Sequence, residues 1–276
     1  MEVTPKQLVE KIVEAYRKLP SDQRLLVAIA GPPGSGKSTL AYPLTDALNA
    51  RLLHHRPSNP SHVERPTSLN LAEASESQGQ DDEIAICVGL DGWHYSRAEL
   101  DGFEDPKEAH WRRGAAFTFN LPSYHTFLSL LRLPVTPSAS TTFSSSSVNV
   151  SPTGIPFPTF SHSLKDPLPS SLPIGPRHRI ILIEGLYTLL DQPGWEECAE
   201  MMDIRVFVDV DREEARGRVV RRNFEAGIVD SIAKCEERVD AVDMVNGEQV
   251  RTRLVSPTYI IRSIEGQPFS AQAFER

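Results

Sequence analysis

The chain has 276 residues, 39% of them hydrophobic, and carries a formal net charge of −8. That length and apolar content allow one large α/β domain or two small ones. The acidic balance excludes a broad basic surface for nucleic acid, so any phosphate site must be local. Cys87, Cys198 and Cys235 are widely spaced in apolar or helical stretches. They suggest neither a disulfide framework nor a zinc knuckle and fit a reducing compartment, cytoplasmic or nuclear. The first residues are charged and amphipathic, and no run approaches the length of a membrane span, so neither a signal peptide nor a membrane contact is expected.

Leu8, Ile12, Val13 and Tyr16 follow Pro5 at helical spacing, which predicts a leading helix ending at Leu19-Pro20. Arg24 to Ala30 is a continuous apolar run closed by a glycine-rich turn, the pattern of a strand buried on both faces. A helix is expected from Lys37 to Asn49, bent at Pro43, where one backbone hydrogen bond is lost. Residues 54–82 turn to Pro, Ser, Asn, Gln and acidic residues without periodicity and read as an insertion. Strand character resumes from Glu83 to Leu90, and Asn120 is placed to cap a helix from Leu121 to Leu133. Residues 134–156 form a second biased stretch, rich in Ser, Thr and Pro. Further strands are expected at Arg179–Ile183 and Ile204–Val210, and helices at Glu213–Glu225 and Ile232–Val239. The alternation predicts a single α/β domain of the P-loop type, a parallel sheet with helices on both faces and a helical lid.

The strongest chemical signal is Gly31-Pro32-Pro33-Gly34-Ser35-Gly36-Lys37-Ser38-Thr39, a complete GxxxxGK[ST] between a predicted strand and a predicted helix. Such a loop turns successive backbone N–H groups toward phosphate oxygens. Its lysine, here Lys37, reaches the β- and γ-phosphates of ATP, and its hydroxyl, here Ser38, offers a ligand to Mg²⁺. Two later strands also end in acids. Asp91 follows Leu90 at the carboxyl edge of the sheet, where open α/β folds bind ligands, and is a candidate general base or orienting group for a hydroxyl. Glu184 ends Ile180-Ile181-Leu182-Ile183 at the same edge, the position that faces the metal in P-loop enzymes. Either acid also suits a simple turn. Arg216, Arg218, Arg221 and Arg222 crowd one predicted helix, where they could face a transferring phosphoryl group or pair with Glu213 and Glu214 on a solvated face.

In this order the P-loop, Asp91-Gly92-Trp93-His94, Arg112-Arg113-Gly114-Ala115-Ala116-Phe117-Thr118-Phe119, Glu184-Gly185-Leu186-Tyr187 and Val208-Asp209-Val210-Asp211 resemble the phosphoribulokinase/uridine kinase superfamily. They are most similar to a little-characterised branch of fungal and bacterial ATP-dependent kinases, with pantothenate kinase-like enzymes next. The resemblance spans nearly the whole chain outside the two insertions. It implies a kinase that uses ATP and Mg²⁺ to phosphorylate a small metabolite, with Asp91 as the catalytic acid, Glu184 as a metal-linked acid, and Arg218 and Arg222 in the lid. It places His94, Tyr95, Arg113, His162 and Lys165 toward the acceptor. Asn120 and Ser161 stand where the family pattern carries Asp, which implies an altered acceptor preference. A nucleotide-gated binding protein and an ATP-binding scaffold are the rival readings, and the acceptor and the oligomeric state are not legible. Composition alone carries one expectation: removing Pro134 to Thr153 leaves fold and ATP binding intact, and a large drop in melting temperature would show that this stretch packs.

Overall fold

In the computed structural model, described for residues 1–53, 83–135, 154–226, 231–264, 269 and 271–274, strand and helix alternate around one sheet. The two stretches expected as insertions fall largely outside these residues. The flanks of the second are packed: Val135 is buried and its N–H donates to the Asp22 carbonyl at 2.6 Å, and Ile155 pairs with Ile174. The apolar side chains of Val135, Ile155 and Phe157 all enter the core, which Ser/Thr/Pro content had obscured, so a cut beginning at Pro134 removes a packed residue and a neutral deletion has to begin after Val135.

The first helix, α1 (Pro5–Lys18), starts on a capping box in which the Thr4 side chain accepts from Gln7 N and the Gln7 side chain accepts from Thr4 N. Strand β1 (Leu25–Ala30) follows, then the P-loop and α2 (Lys37–Leu53). The helix continues through Pro43 and runs four residues past Asn49. Asn49 itself is buried: its Oδ1 accepts from Ile84 N and Ala85 N, and its Nδ2 donates to the Ala85 carbonyl. The end of α2 is thereby pinned to β2 (Ala85–Gly89).

After β2 come a 3₁₀ turn (Leu90–Trp93), two short helices, α3 (Arg97–Leu100) and α4 (Pro106–Trp111), and then α5 (Leu121–Leu131). Asn120 caps α5 as expected, its Oδ1 accepting from Ser123 N at 3.1 Å. An antiparallel hairpin, β3 (Pro158–Ser161) and β4 (Asp166–Pro169), precedes β5 (Ile180–Glu184), α6 (Trp195–Glu200), β6 (Ile204–Asp209) and α7 (Arg212–Glu225). Helix α8 (Ile232–Arg238) passes through a π-helical turn (Val239–Asp243) into α9 (Met244–Thr252), and β7 (Tyr259–Arg262) closes the sheet.

The five-stranded sheet has the order β2-β5-β1-β6-β7 and is parallel at every pairing. Period two in β1 sends Leu25, Val27 and Ile29 to a core with α1 and α2, and Leu26, Ala28 and Ala30 to a second core with α5, α6 and α9. Both faces are therefore covered, as a wholly apolar strand requires. The hairpin and β7 were not foreseen. Pro158, Pro167 and Pro169 disguise the former, since proline is confined to edge positions, and the latter is a four-residue edge strand.

Gly185, just past β5, is pressed against the residue that follows β2: a Cβ there would stand 2.3 Å from Leu90 Cβ. That contact holds the ends of the two strands together. Gly185→Ala is expected to cost about 1–3 kcal/mol by overpacking, lowering the melting temperature by ~2–4 °C per kcal/mol in a chain of this size. Thermal unfolding of the variant checks this, and an unchanged transition would refute it.

Candidate active site

The register sets Ile29, Glu184 and Gly89 level across β1, β5 and β2, so the P-loop, Glu184 and the Asp91 turn leave one edge of the sheet side by side. Gly34 and Gly36 adopt φ of 77° and 86°, a backbone that other residues rarely take. A Cβ on Gly34 would also lie 2.5 Å from the Ala215 carbonyl of α7, so the lid helix sits directly on the loop. Lys37 Nζ donates to the Pro32 carbonyl at 3.1 Å, the Ser38 hydroxyl to Glu184 Oε1 at 3.1 Å, and the Thr39 hydroxyl to the Gly36 carbonyl at 2.7 Å. Ser35 is fully buried, and its Oγ has no partner among the described residues.

Electrostatics bind the three strand ends into one site. Burial lowers the Lys37 ammonium to about 8, against the opposing pull of Glu184 and Asp91. Burial and the nearby Asp91 charge raise Glu184 to about 7, although Lys37 and the Ser38 hydrogen bond favour its charged form. The Asp91 carboxylate itself is half exposed. It thus faces solvent beside a half-buried cation and a half-buried acid.

Ser38 and Glu184 offer two hard oxygen donors at the loop, and no group of three or more His, Cys, Asp or Glu side chains among the described residues could hold a metal by itself. That donor set fits Mg²⁺, which takes one or two protein oxygens and completes its shell with phosphate and water. Arg218 and Arg222, expected together in the lid, differ in surroundings. Arg218 is engaged by Glu214, the Ser263 hydroxyl at 2.7 Å and the Gly34 carbonyl at 3.2 Å. Arg222 lies near enough to depress the Lys37 ammonium, and its own hydrogen bond, to Asn223 Oδ1, is long at 3.4 Å. Arg216 is turned away in a two-pronged bond to Asp240.

The residues expected near the acceptor form one wall beside Asp91. The His94 ring lies between Phe119 at 3.9 Å and Phe160 at 5.2 Å, with its Nδ1 2.8 Å from the Asp91 carbonyl. Burial pushes this imidazole below its usual range. His162 edges the same Phe160 ring. Arg113 spans the wall, donating to the Tyr95 carbonyl and to Asp166 Oδ1 at 2.8 Å each and to the Lys165 carbonyl. Arg113, Lys165 and Tyr95 thus meet through structural bonds, and the Tyr95 ring packs on Phe103. Ser161 is buried in the hairpin, its hydroxyl accepting from Leu164 N.

One residue of the site region escaped sequence reasoning. Asn246 on α9 is buried, its Oδ1 lacks a partner among the described residues, and its Nδ2 is 4.0 Å from where a Gly114 Cβ would stand. No motif marks it, because α9 emerges only from packing against the P-loop.

The fold and these strand ends define a P-loop protein built like the nucleotide-dependent kinases. No family model matches the chain. It is 37% identical over 161 residues to an ATP-dependent kinase-like protein of Aspergillus versicolor, covering 58% of this chain and 86% of that one. It is 28% identical over 250 residues to a candidate uridine kinase of Schizosaccharomyces pombe, 91% of this chain and 88% of that one. An ATP-dependent kinase of Saccharomyces cerevisiae is 33% identical over 219 residues, 72% of this chain and 60% of that one. The crystal structure of that yeast protein, described as a P-loop kinase with a circular permutation, superposes at a TM-score of 0.70 and 25% identity, covering 94% of this chain and 98% of that chain. The chain belongs to the P-loop kinase superfamily, among relatives that carry the name ATP-dependent kinase. None of its described helices is long and apolar enough to cross a membrane.

If a Mg·nucleotide takes up Lys37 and Glu184, the two shifted groups make its binding proton-linked with opposite signs. Below about 7 Glu184 is largely protonated, so a cation at its carboxylate displaces a proton; above about 8 Lys37 is largely neutral, so a phosphate at its nitrogen draws one in. Titrating Mg·ADP by calorimetry in buffers of differing ionisation enthalpy should show net proton release at pH 6 and net uptake at pH 9. Glu184→Gln should abolish the release alone. Equal proton traffic in that variant would refute the assignment.

Proposed function

We propose that the protein is an ATP- and Mg²⁺-dependent kinase that transfers the γ-phosphate of ATP to a hydroxyl of a small metabolite. The observation that carries this reading is the convergence of Lys37, Glu184 and Asp91 from three adjacent strand ends, close enough to shift the ionisation of two of them. Membership in a superfamily of kinases supports it, as do the names of the relatives.

In this mechanism the backbone of Gly31 to Thr39 cradles the phosphates, and Lys37 neutralises charge on the transferring group. Ser38 and Glu184 would hold the metal, which would supply neutralisation of the phosphate charge. Asp91, open to solvent beside them, orients the acceptor hydroxyl and takes its proton as the oxygen attacks the γ-phosphorus and the bond to the β-phosphate oxygen breaks. Arg222 comes from the lid side to meet charge spread over the phosphoryl oxygens. Arg218 acts indirectly, holding Gly34 and Ser263 in place. On the acceptor side, His94 and the Phe119–Phe160 rings shape the wall that Arg113 braces, and His162 and Lys165 stand at its outer end. Pairing strand-end acids with a P-loop lysine favours transfer over a nucleotide-gated binding protein, which needs no base near the γ-phosphate.

Nucleosides, pantothenate-like alcohols and sugar derivatives are the acceptor classes to test; the name of the fission-yeast relative puts uridine first. ADP release from ATP across such a panel identifies the substrate. With the best acceptor, Asp91→Asn should lower kcat by roughly 10²–10⁴-fold while ATP affinity, read by calorimetry, barely moves. If kcat stays within a few-fold, Asp91 is a turn residue and has no part in the chemistry.

A further inference from the structure

A cavity of about 580 Å³ opens between Arg112, the first residue of α7 and the outer face of α9. It lies apart from the phosphate site. Helical spacing places Asn246, Gly247 and Val250 on the buried face of α9, whereas Val245, Glu248 and Thr252 stand on the opposite, exposed face that lines the cavity. No residue of the P-loop, and neither Asp91 nor Glu184, contributes to its walls.

Three arginines line it, Arg112, Arg212 and Arg253, on a chain whose net charge is −8. Arg253 makes no side-chain hydrogen bond or ion pair among the described residues. Arg112 Nε is a buried donor without an acceptor among them, and the only ion pair of Arg112 there is a loose one with Glu108 at 3.6 Å. Arg212 pairs with the adjacent Glu213 on the open surface, a contact of little strength. Of the two cavity acids, Asp240 is already neutralised by the two-pronged bond from Arg216, which leaves Glu248 against three guanidinium groups. Gln249 and Thr252 add hydrogen-bonding groups, and Met244 an apolar wall. Guanidinium forks match the oxygens of phosphate and carboxylate, and the volume suits a metabolite-sized ligand.

We infer that this cavity is a second ligand site, distinct from the nucleotide site, for a small molecule bearing a phosphate or carboxylate group. The inference does not depend on the kinase reading, and its test needs no turnover. In a Lys37→Ala background and without divalent cations, the full chain is titrated by calorimetry with inorganic pyrophosphate as the phosphate probe and, separately, with succinate as the carboxylate probe. At least one probe is expected to bind, and Arg253→Gln and Arg112→Gln should each weaken it by roughly tenfold, the scale of one charge-assisted hydrogen bond. Arg212→Gln, at an exposed position, serves as the third variant should Arg112→Gln not fold. Absence of binding by both probes, or dissociation constants that stay within twofold across the arginine variants, would overturn the second site.

Discussion

Desolvation of Lys37 beside Glu184 is the constraint on which the site depends. An ammonium and a carboxylate partly withdrawn from water each lose hydration that their mutual attraction only partly restores. The protein meets the deficit with fixed groups: the Pro32 carbonyl on Lys37 and the Ser38 hydroxyl on Glu184. What remains is a pair whose ionisation stands near neutrality, held where β1 and β5 end level with each other. A phosphate and a divalent cation are the charges that would complete it. The parallel sheet supplies this arrangement because its strands all deliver their carboxyl ends to one edge.

The wall beside Asp91 is built on a different principle. Its parts come from segments far apart in sequence, the Asp91–Tyr95 turn, the Arg113–Phe119 loop and the hairpin, joined by ring packing around His94 and by the three bonds of Arg113. Asn120 and Ser161 belong to this framework. Asn120 caps α5, and Ser161 ties the hairpin turn to Leu164 N, so each position has a structural use of its own.

The lid shows how one cluster of like residues is divided by its partners. Arg216, Arg218 and Arg222 share α7, but Arg216 is held by Asp240, Arg218 by Glu214 and Ser263, and only Arg222 bears on the Lys37 charge. Residues three or four apart share a helix face while those one or two apart, such as Arg216 and Arg218, do not, and the neighbours on each face then decide which charges are neutralised. Helices α7 and α9 both rest on the P-loop, so the loop is shaped as much by its lid as by its own glycines.

Sequence alone determined the elements whose reasons are local. The P-loop follows from its spacing, the buried strands from runs such as Leu25–Ala30, the cap of α5 from Asn120, and the positions of Asp91 and Glu184 from apolar runs that end in acids. Those signals survive because periodicity, capping and strand burial act within a few residues. Tertiary structure decided the rest. The proline-bearing hairpin and the short β7 exist because neighbours pair with them, and Val135 and Ile155 are ordered because a core receives them. Arg113 and Arg218 are tethered, and Asn246 is buried beside Gly114, only once segments distant in the chain have met. A side chain's partners across such distances are set by packing, and no local pattern encodes them.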